Sequence, residues 1–303
     1  LRLVGSEMCI RDRPSDSPVL GSQLTYTGAS LKVADANDDE ETRDESTTAL
    51  KTAAENFRNT AENVTNYVIR IINKVKDNTL NVTLDNVNIT ANNDAALSVE
   101  GAGNTTITLS GSNTLTGGDG HAGLEHNEKS KDDNDDSVDT GKLTITSEKD
   151  SGILTATGGS GAAGIGGARN NGAGIIEIAG GTITEAIGGD GGAGIGGGAN
   201  SSQATTINIT GGTVNAINSF GSDNPAFSSQ YDGTGNYSPA IGGRINKWSG
   251  DSDFNTTCNV NINSSTGDTV VNAYIYGKGS GTAIGAGTET YSYNPYKVEY
   301  QYV

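Results

Sequence analysis

Residues 175–197 read IIEIAGGTITEAIGGDGGAGIGG, and the stretch LTIT…GILTATGGSGAAGIGG at 143–167 has the same order of pieces. TINITGGTVNAINS at 206–219 repeats it a third time and closes, after an insert, with PAIGG at 239–243. A degenerate copy, VNINSSTGDTVVNAYIYGKGSGTAIGAG, covers 260–287. Self-similarity in a fixed order means stacked structural units, so the fold follows from one unit and its neighbours.

Each unit holds three short apolar pieces. The first alternates: Leu143/Ile145, Ile176/Ile178, Ile207/Ile209 and Val260/Ile262. Period-two alternation points one face inward and the other to solvent. A turn, usually Gly-Gly, leads to the second piece: Ile153–Ala156, Ile183–Ala186, Val214–Ala216 and Val270–Ala273. The third centres on a single isoleucine: Ile165, Ile195, Ile241 or Ile284. Flanking glycines permit the tight corners between pieces. Three strands and three corners make one coil of a parallel β-solenoid. Coil starts at 143, 176 and 207 are 33 and 31 residues apart; the step to 260 is 53 because of the insert. Equivalent isoleucines are expected to form one buried inner column, about 4.8 Å from coil to coil.

The pattern continues upstream with fewer glycines. Ile107–Leu109, Leu115 and Ala122–Leu124 fit the three pieces, as do Val82–Leu84, Val87–Ile89 and Ala96–Val99. Tyr67–Ile72 is the expected first strand. The fold class predicted is all-β: a right-handed parallel β-helix of about six coils over 67–290. Before it, Leu50, Ala54, Phe57, Ala61, Val64 and Val68 follow a 4-3-4-3-4 spacing. That is an amphipathic stripe, predicting a helix over 47–66 that caps the open end of the stack. Residues 14–46 are acidic and poor in apolar side chains and are expected to be a disordered linker. Residues 1–13, LRLVGSEMCIRDR, resemble translated sequencing-adapter read-through in metagenomic assemblies. They are expected to be an artefact with no organised core contact, which makes the natural part a fragment. Residues 291–303 alternate tyrosine with polar side chains, as a terminal strand or the start of a further domain would.

Composition bounds the function. The chain has 303 residues, 44 of them glycine, and only 33% are hydrophobic, which suits a narrow interior. Net charge is −17. No basic stripe exists to meet phosphates, so nucleic acid is not an expected partner. No run is long and apolar enough for a membrane span. With Cys9 set aside, Cys258 stands alone and makes no internal disulfide.

Candidate sites are sparse. GxGxxG occurs at Gly159–Gly164 and Gly189–Gly194, but no helix is predicted to follow, so these are corner glycines rather than a nucleotide loop. Asp132, Asp133, Asp135 and Asp136, in KDDNDDSVD, are hard oxygen donors suited to Ca2+, the one cofactor the chain suggests; the favoured reading is a solvated surface loop that interrupts a coil. His121 and His126 lack the partners of a zinc site and are expected at the surface. Solenoids also host polysaccharide lyases and hydrolases. Arg169 and Arg244 sit at similar repeat positions, and Glu177 and Glu185 are the only acids in the Gly-rich strands. Catalysis ranks below binding on that showing, and no catalytic residue is assigned. Phe227, Tyr231 and Tyr237 in the insert, with Trp248, are the candidate glycan-stacking residues, because aromatic rings offer apolar faces with polar edges. Asn-x-Ser/Thr sequons at Asn63, Asn81, Asn88, Asn104, Asn200, Asn208, Asn236, Asn255 and Asn263 are best explained by Asn/Thr ladders on outer strand faces.

VTLDNVNITANNDAALSVEGAGNTTITLSGSNTLTGGDGHAGLE (82–125), followed by the Gly-rich units, resembles a family of large bacterial surface proteins from gut and rumen Firmicutes, carbohydrate-binding domain-containing proteins with a Gly-rich repeat. The likeness covers about 67–287. It implies a parallel β-helix in a secreted or wall-attached protein alongside other domains. It also implies binding of polysaccharide or cell-wall glycan, in some relatives with calcium. It carries no ligand residue across. The inserts at 127–139 and 219–238 depart from the compact repeat. The expected function is non-catalytic polysaccharide binding or adhesion, with a passive stalk or spacer as the alternative and a β-helix polysaccharide lyase as the second.

Overall fold

The computed structural model describes residues 68–131, 136–147, 152–201, 204–219, 238–244, 258–264, 269–276 and 283–287, with the backbone of four short strands before residue 36. Those four are β1 (Arg2–Val4), β2 (Glu7–Arg11), β3 (Ser22–Tyr26) and β4 (Leu31–Asp35); β5 (Ile69–Ile72) precedes the first unit. Six units follow, each of three strands. They are β6 (Thr79–Asp85), β7 (Asn88–Thr90), β8 (Leu97–Glu100); then β9 (Asn104–Ser110), β10 (Ser112–Thr116), β11 (Leu124–Glu125). A hairpin, β12 (Lys129–Lys131) and β13 (Ser137–Asp139), intervenes. The third and fourth units are β14 (Leu143–Ser147), β15 (Ile153–Thr157), β16 (Ile165–Gly166) and β17 (Gly174–Ile178), β18 (Thr182–Gly188), β19 (Ile195–Gly196). The last two are β20 (Thr205–Ile209), β21 (Thr213–Ser219), β22 (Ile241–Arg244) and β23 (Cys258–Ile262), β24 (Val270–Tyr276), β25 (Ile284–Gly287).

The described residues are all-β, and the strands of the units pair in parallel. First strands form one sheet in the order β6-β9-β14-β17-β20-β23; second strands form another, β7-β10-β15-β18-β21-β24; third strands, led by β5, form a third, β5-β8-β11-β16-β19-β22-β25. The chain therefore visits the three sheets in turn, once per unit. Register places equivalent residues side by side. Ile69, Leu97, Leu124, Ile165, Ile195, Ile241 and Ile284 form one continuous column. Val82, Ile107, Ile145, Ile178, Ile209 and Ile262 form another on the first sheet. The columns meet in a single core between the sheets.

Burial follows the predicted alternation through five units and fails at the sixth. Ile165, Ile195 and Ile241 are wholly buried, whereas Ile284, expected to be buried too, is 36% exposed. Ile209 is buried and its column neighbour Ile262 is 39% exposed. Ile262 and Ile284 belong to the last of the six units, and among the described residues no further unit stacks beyond them to cover their outer side.

The corners explain the glycines. A Cβ on Gly159 would sit 1.8 Å from the carbonyl oxygen of Gly118, and one on Gly189 would sit 1.8 Å from that of Gly159. Backbones of successive units approach too closely there for any side chain, so both GxGxxG matches are corner geometry. In the second unit an asparagine takes an inward strand position that Leu154 holds in the third. Asn113 is fully buried; its Nδ2 donates to Ser110 O and Ile153 O, and its Oδ1 accepts the Val87 N–H, tying three consecutive units. One inner position is less well matched. Thr105 lies in the column between Leu80 and Leu143, and its hydroxyl is buried with no hydrogen-bond partner.

Three expectations change. Residues 1–13 do make an organised contact: Glu7–Arg11 pairs in parallel with Asn81–Asp85, filling the row of backbone N–H and C=O groups that β6 would otherwise present at an open edge. Residues 14–46, expected to be disordered, include the β3–β4 antiparallel pair. The acidic insert, expected as a plain surface loop, is flanked by a strand pair: Lys129–Lys131 and Ser137–Asp139 pair antiparallel and Lys129 meets Asp139 in an ion pair, while residues 132–135 lie outside the described residues. The helix expected over 47–66 and the Tyr-rich 291–303 lie outside the described residues.

Candidate functional site

The outward faces of the strands carry the repeated chemistry. On the first sheet Asn81, Thr106, Thr144, Glu177, Asn208 and Asn261 are register neighbours from unit to unit. Asn261 Nδ2 donates to Asn208 Oδ1 at 2.8 Å. On the second sheet Asn272 Nδ2 donates to Asn215 Oδ1 at 2.8 Å, and Asn215 Nδ2 donates to Thr184 O at 3.0 Å. These are asparagine ladders on outer faces, and Asn208 is the sequon asparagine that takes part in them. Among the sequon asparagines, Asn81, Asn88, Asn104 and Asn208 lie in strands.

A second polar group sits where the chain passes from the second sheet to the third. His121 Nδ1 lies 2.9 Å from Glu125 Oε2, which also accepts the Ala122 N–H at 3.2 Å; Asn127 Nδ2 donates to Glu125 Oε1 at 3.0 Å. The Glu125 carboxylate is thus nearly buried and held on both oxygens. Its hydrogen bond to His121 raises the imidazole pKa above its ordinary value, with burial opposing and Asp94 and Asp119 adding to the rise. Beside it, Arg169 Nη2 donates to Asp119 Oδ1 at 3.0 Å and to Ser160 O at 2.7 Å and Ser160 Oγ at 3.1 Å. Arg169 therefore staples the second unit to the third.

His126, expected at the surface, is fully buried. Its Nδ1 faces Ala173 O at 2.6 Å and its Nε2 faces Gly141 O at 2.7 Å. A neutral imidazole has one N–H to give, so both carbonyls can be satisfied together only by the cation. Burial opposes that cation and holds the pKa below its ordinary value, outweighing the pull of the two carbonyls. The ring locks the base of the hairpin. Glu128 adds to the lock, since its Oε2 accepts the Ala204 N–H at 3.0 Å and its backbone N–H donates to Gly172 O at 2.9 Å.

Among the described residues, the acids and arginines weighed for catalysis stand apart. Glu177 lies on the first sheet, 2.5 Å from Lys142 Nζ, and Glu185 lies on the second, so the two acids face different directions. Arg244 ends β22 and pairs with Gly287. Asp136 is exposed at the foot of β13, while Asp132, Asp133 and Asp135 lie outside the described residues. Among the described residues no group of three or more His, Cys, Asp or Glu is placed to hold a metal. Phe227, Tyr231, Tyr237 and Trp248 also lie outside the described residues. Cys258 accepts the Gly243 N–H at its Sγ, and burial raises its thiol pKa. No helix among the described residues is long and apolar enough to cross a membrane.

No protein-family model, curated protein sequence or solved structure matches this chain.

Proposed function

We propose that this chain is a right-handed parallel β-helix that binds polysaccharide without transforming it, as a module of a secreted or surface-attached bacterial protein. The handedness follows the strong preference of parallel strand connections. The observation that carries the functional reading is the pair of outward asparagine ladders, Asn208–Asn261 and Asn215–Asn272. Asn261 and Asn272 each give one N–H to the amide oxygen of the asparagine one rung below, and a primary amide has a second N–H to offer. A sheet of parallel strands repeats such groups about every 4.8 Å on a rigid surface. A polymer with hydroxyl groups at regular intervals meets several of them at once, and small individual contacts then add. The bacterial surface setting rests on the sequence resemblance.

The test is an array of plant and bacterial polysaccharides probed with the full chain, with product analysis on every polymer retained. Retention without cleavage supports the reading. Unsaturated or hydrolysed products would replace it with a lyase or hydrolase. No retention on any polymer would leave the spacer role.

A further inference from the structure

The outer face of the second sheet changes character along the stack. One outward column runs Thr90, Thr116, Thr157 in the first three units and Ile187, Ile217, Tyr274 in the last three. The alternation with wholly buried Ala156, Ala186 and Ala216 fixes the column as outward. Tyr274 is 47% exposed and Ile187 and Ile217 are half-buried. The core gains nothing from isoleucine or tyrosine there, since threonine serves the same position in the three preceding units. Beside this column stands the Asn215–Asn272 ladder, with exposed Glu185 one unit below. Across all six strands of the sheet Glu185 is the only charged side chain. The other two sheets carry charges of both signs, among them Asp85, Lys142 and Glu177 around the first, and Arg70 and Glu100 on the third.

We infer that the β18–β21–β24 face is the binding surface, and that its ligand is a neutral polysaccharide of equatorially linked hexoses lying along the stack. The inference rests on the functional reading above and specifies the site and the ligand class. A pyranose ring with equatorial hydroxyls has C–H faces and a hydroxyl edge. The apolar column meets the C–H faces, one side chain per strand spacing, over about 10 Å. The ladder amides and the Glu185 carboxylate meet the hydroxyl edge. An acidic polymer finds no cation in the strands of this face and meets Glu185 and a protein of net charge −17.

The experiment is affinity electrophoresis and calorimetry of the full chain with hydroxyethyl cellulose as the neutral probe and polygalacturonate as the anionic one. Two variants are compared with the native chain. I187T/I217T/Y274T restores the residue the chain itself uses in its first three units; Tyr274→Ala alters one exposed side chain and keeps the test alive should the triple variant not fold. The expected result is binding to hydroxyethyl cellulose and not to polygalacturonate, with a loss of about tenfold in affinity for Tyr274→Ala and more for the triple variant at unchanged melting temperature. Binding that survives both substitutions overturns the assignment of this face while leaving the binding function standing. Preference for polygalacturonate overturns the ligand class. No binding to either probe or to any polymer of the array removes the site together with the function. A native chain that sediments as a dimer, with a monomeric triple variant, identifies the column as a self-association surface and refutes the inference.

Discussion

Ile195→Ala tests the stacked core against a control in the same column. Ile195 is wholly buried between Ile165 and Ile241, and Ile284 occupies the same column two units on with 36% of its surface exposed. Ile→Ala removes three carbons, worth about 2.4 kcal/mol of transfer free energy at about 0.8 kcal/mol per carbon. At Ile195 neighbours on both sides hold the space open, so a cavity cost adds, giving about 3–4 kcal/mol. At Ile284 only about two-thirds of the transfer value applies and no closed cavity forms, giving about 1.5 kcal/mol or less. Urea denaturation followed by far-UV circular dichroism reads both variants. Stacked units need not unfold in one step, so the two are compared on the transition that includes the fourth unit. Equal costs for the two variants, or a cost below about 1 kcal/mol at Ile195, would refute the column and the register behind it.

Two further outcomes follow from the buried polar groups. Thr105→Val keeps the shape and removes the unpartnered buried hydroxyl, so it is expected to raise the urea midpoint by the equivalent of about 1 kcal/mol; a lower midpoint would show that the hydroxyl has a partner. The two histidines shape stability against pH with opposite sign. His126 has its pKa lowered by burial, so stability falls as pH drops below its ordinary value of 6.5, and His126→Gln should flatten that fall. His121 has its pKa raised by Glu125, so its contribution is present below 6.5 and is lost as pH rises through the higher folded value; His121→Ala should cost more at pH 5.5 than at pH 9. Thermal melts across this range check both signs.

The inner face of the fold was legible because alternation recurs along the stack and the single-isoleucine third piece recurs in the last four units. Ile145, Ile178 and Ile209 stand in register as their spacing predicts. Alternation gives a side chain's direction, however, and not whether anything covers it, which is why Ile262 and Ile284 match the pattern and yet are exposed. The histidines illustrate contacts that no local pattern encodes. The carbonyls that enclose His126 belong to residues 15 and 47 positions away, and they meet it only because the hairpin folds back on the stack. Arg169 was visible as a repeat-position arginine, but its partner Asp119 lies 50 residues earlier, in the preceding unit. The apolar column was written in IGG, INS and YIY after the inward alanines. Its signal is that these positions hold threonine upstream, and that comparison requires the registered stack.

Every functional statement above depends on outward side chains of successive units forming columns, and cysteine pairing across the longest step tests this most directly. Asn208 and Asn261 are register partners 53 residues apart in sequence, with the insert between them. Neighbouring parallel strands bring Cα atoms to about 4.8 Å, within the span a disulfide bridges. In a chain with Cys9 and Cys258 replaced by serine and alanine, Asn208→Cys with Asn261→Cys is predicted to oxidise to an intramolecular disulfide in nearly all molecules. Asn208→Cys with Ser264→Cys, three residues out of register, is predicted to stay reduced. Oxidation of the second pair in preference to the first, or of neither, would contradict the stacked register.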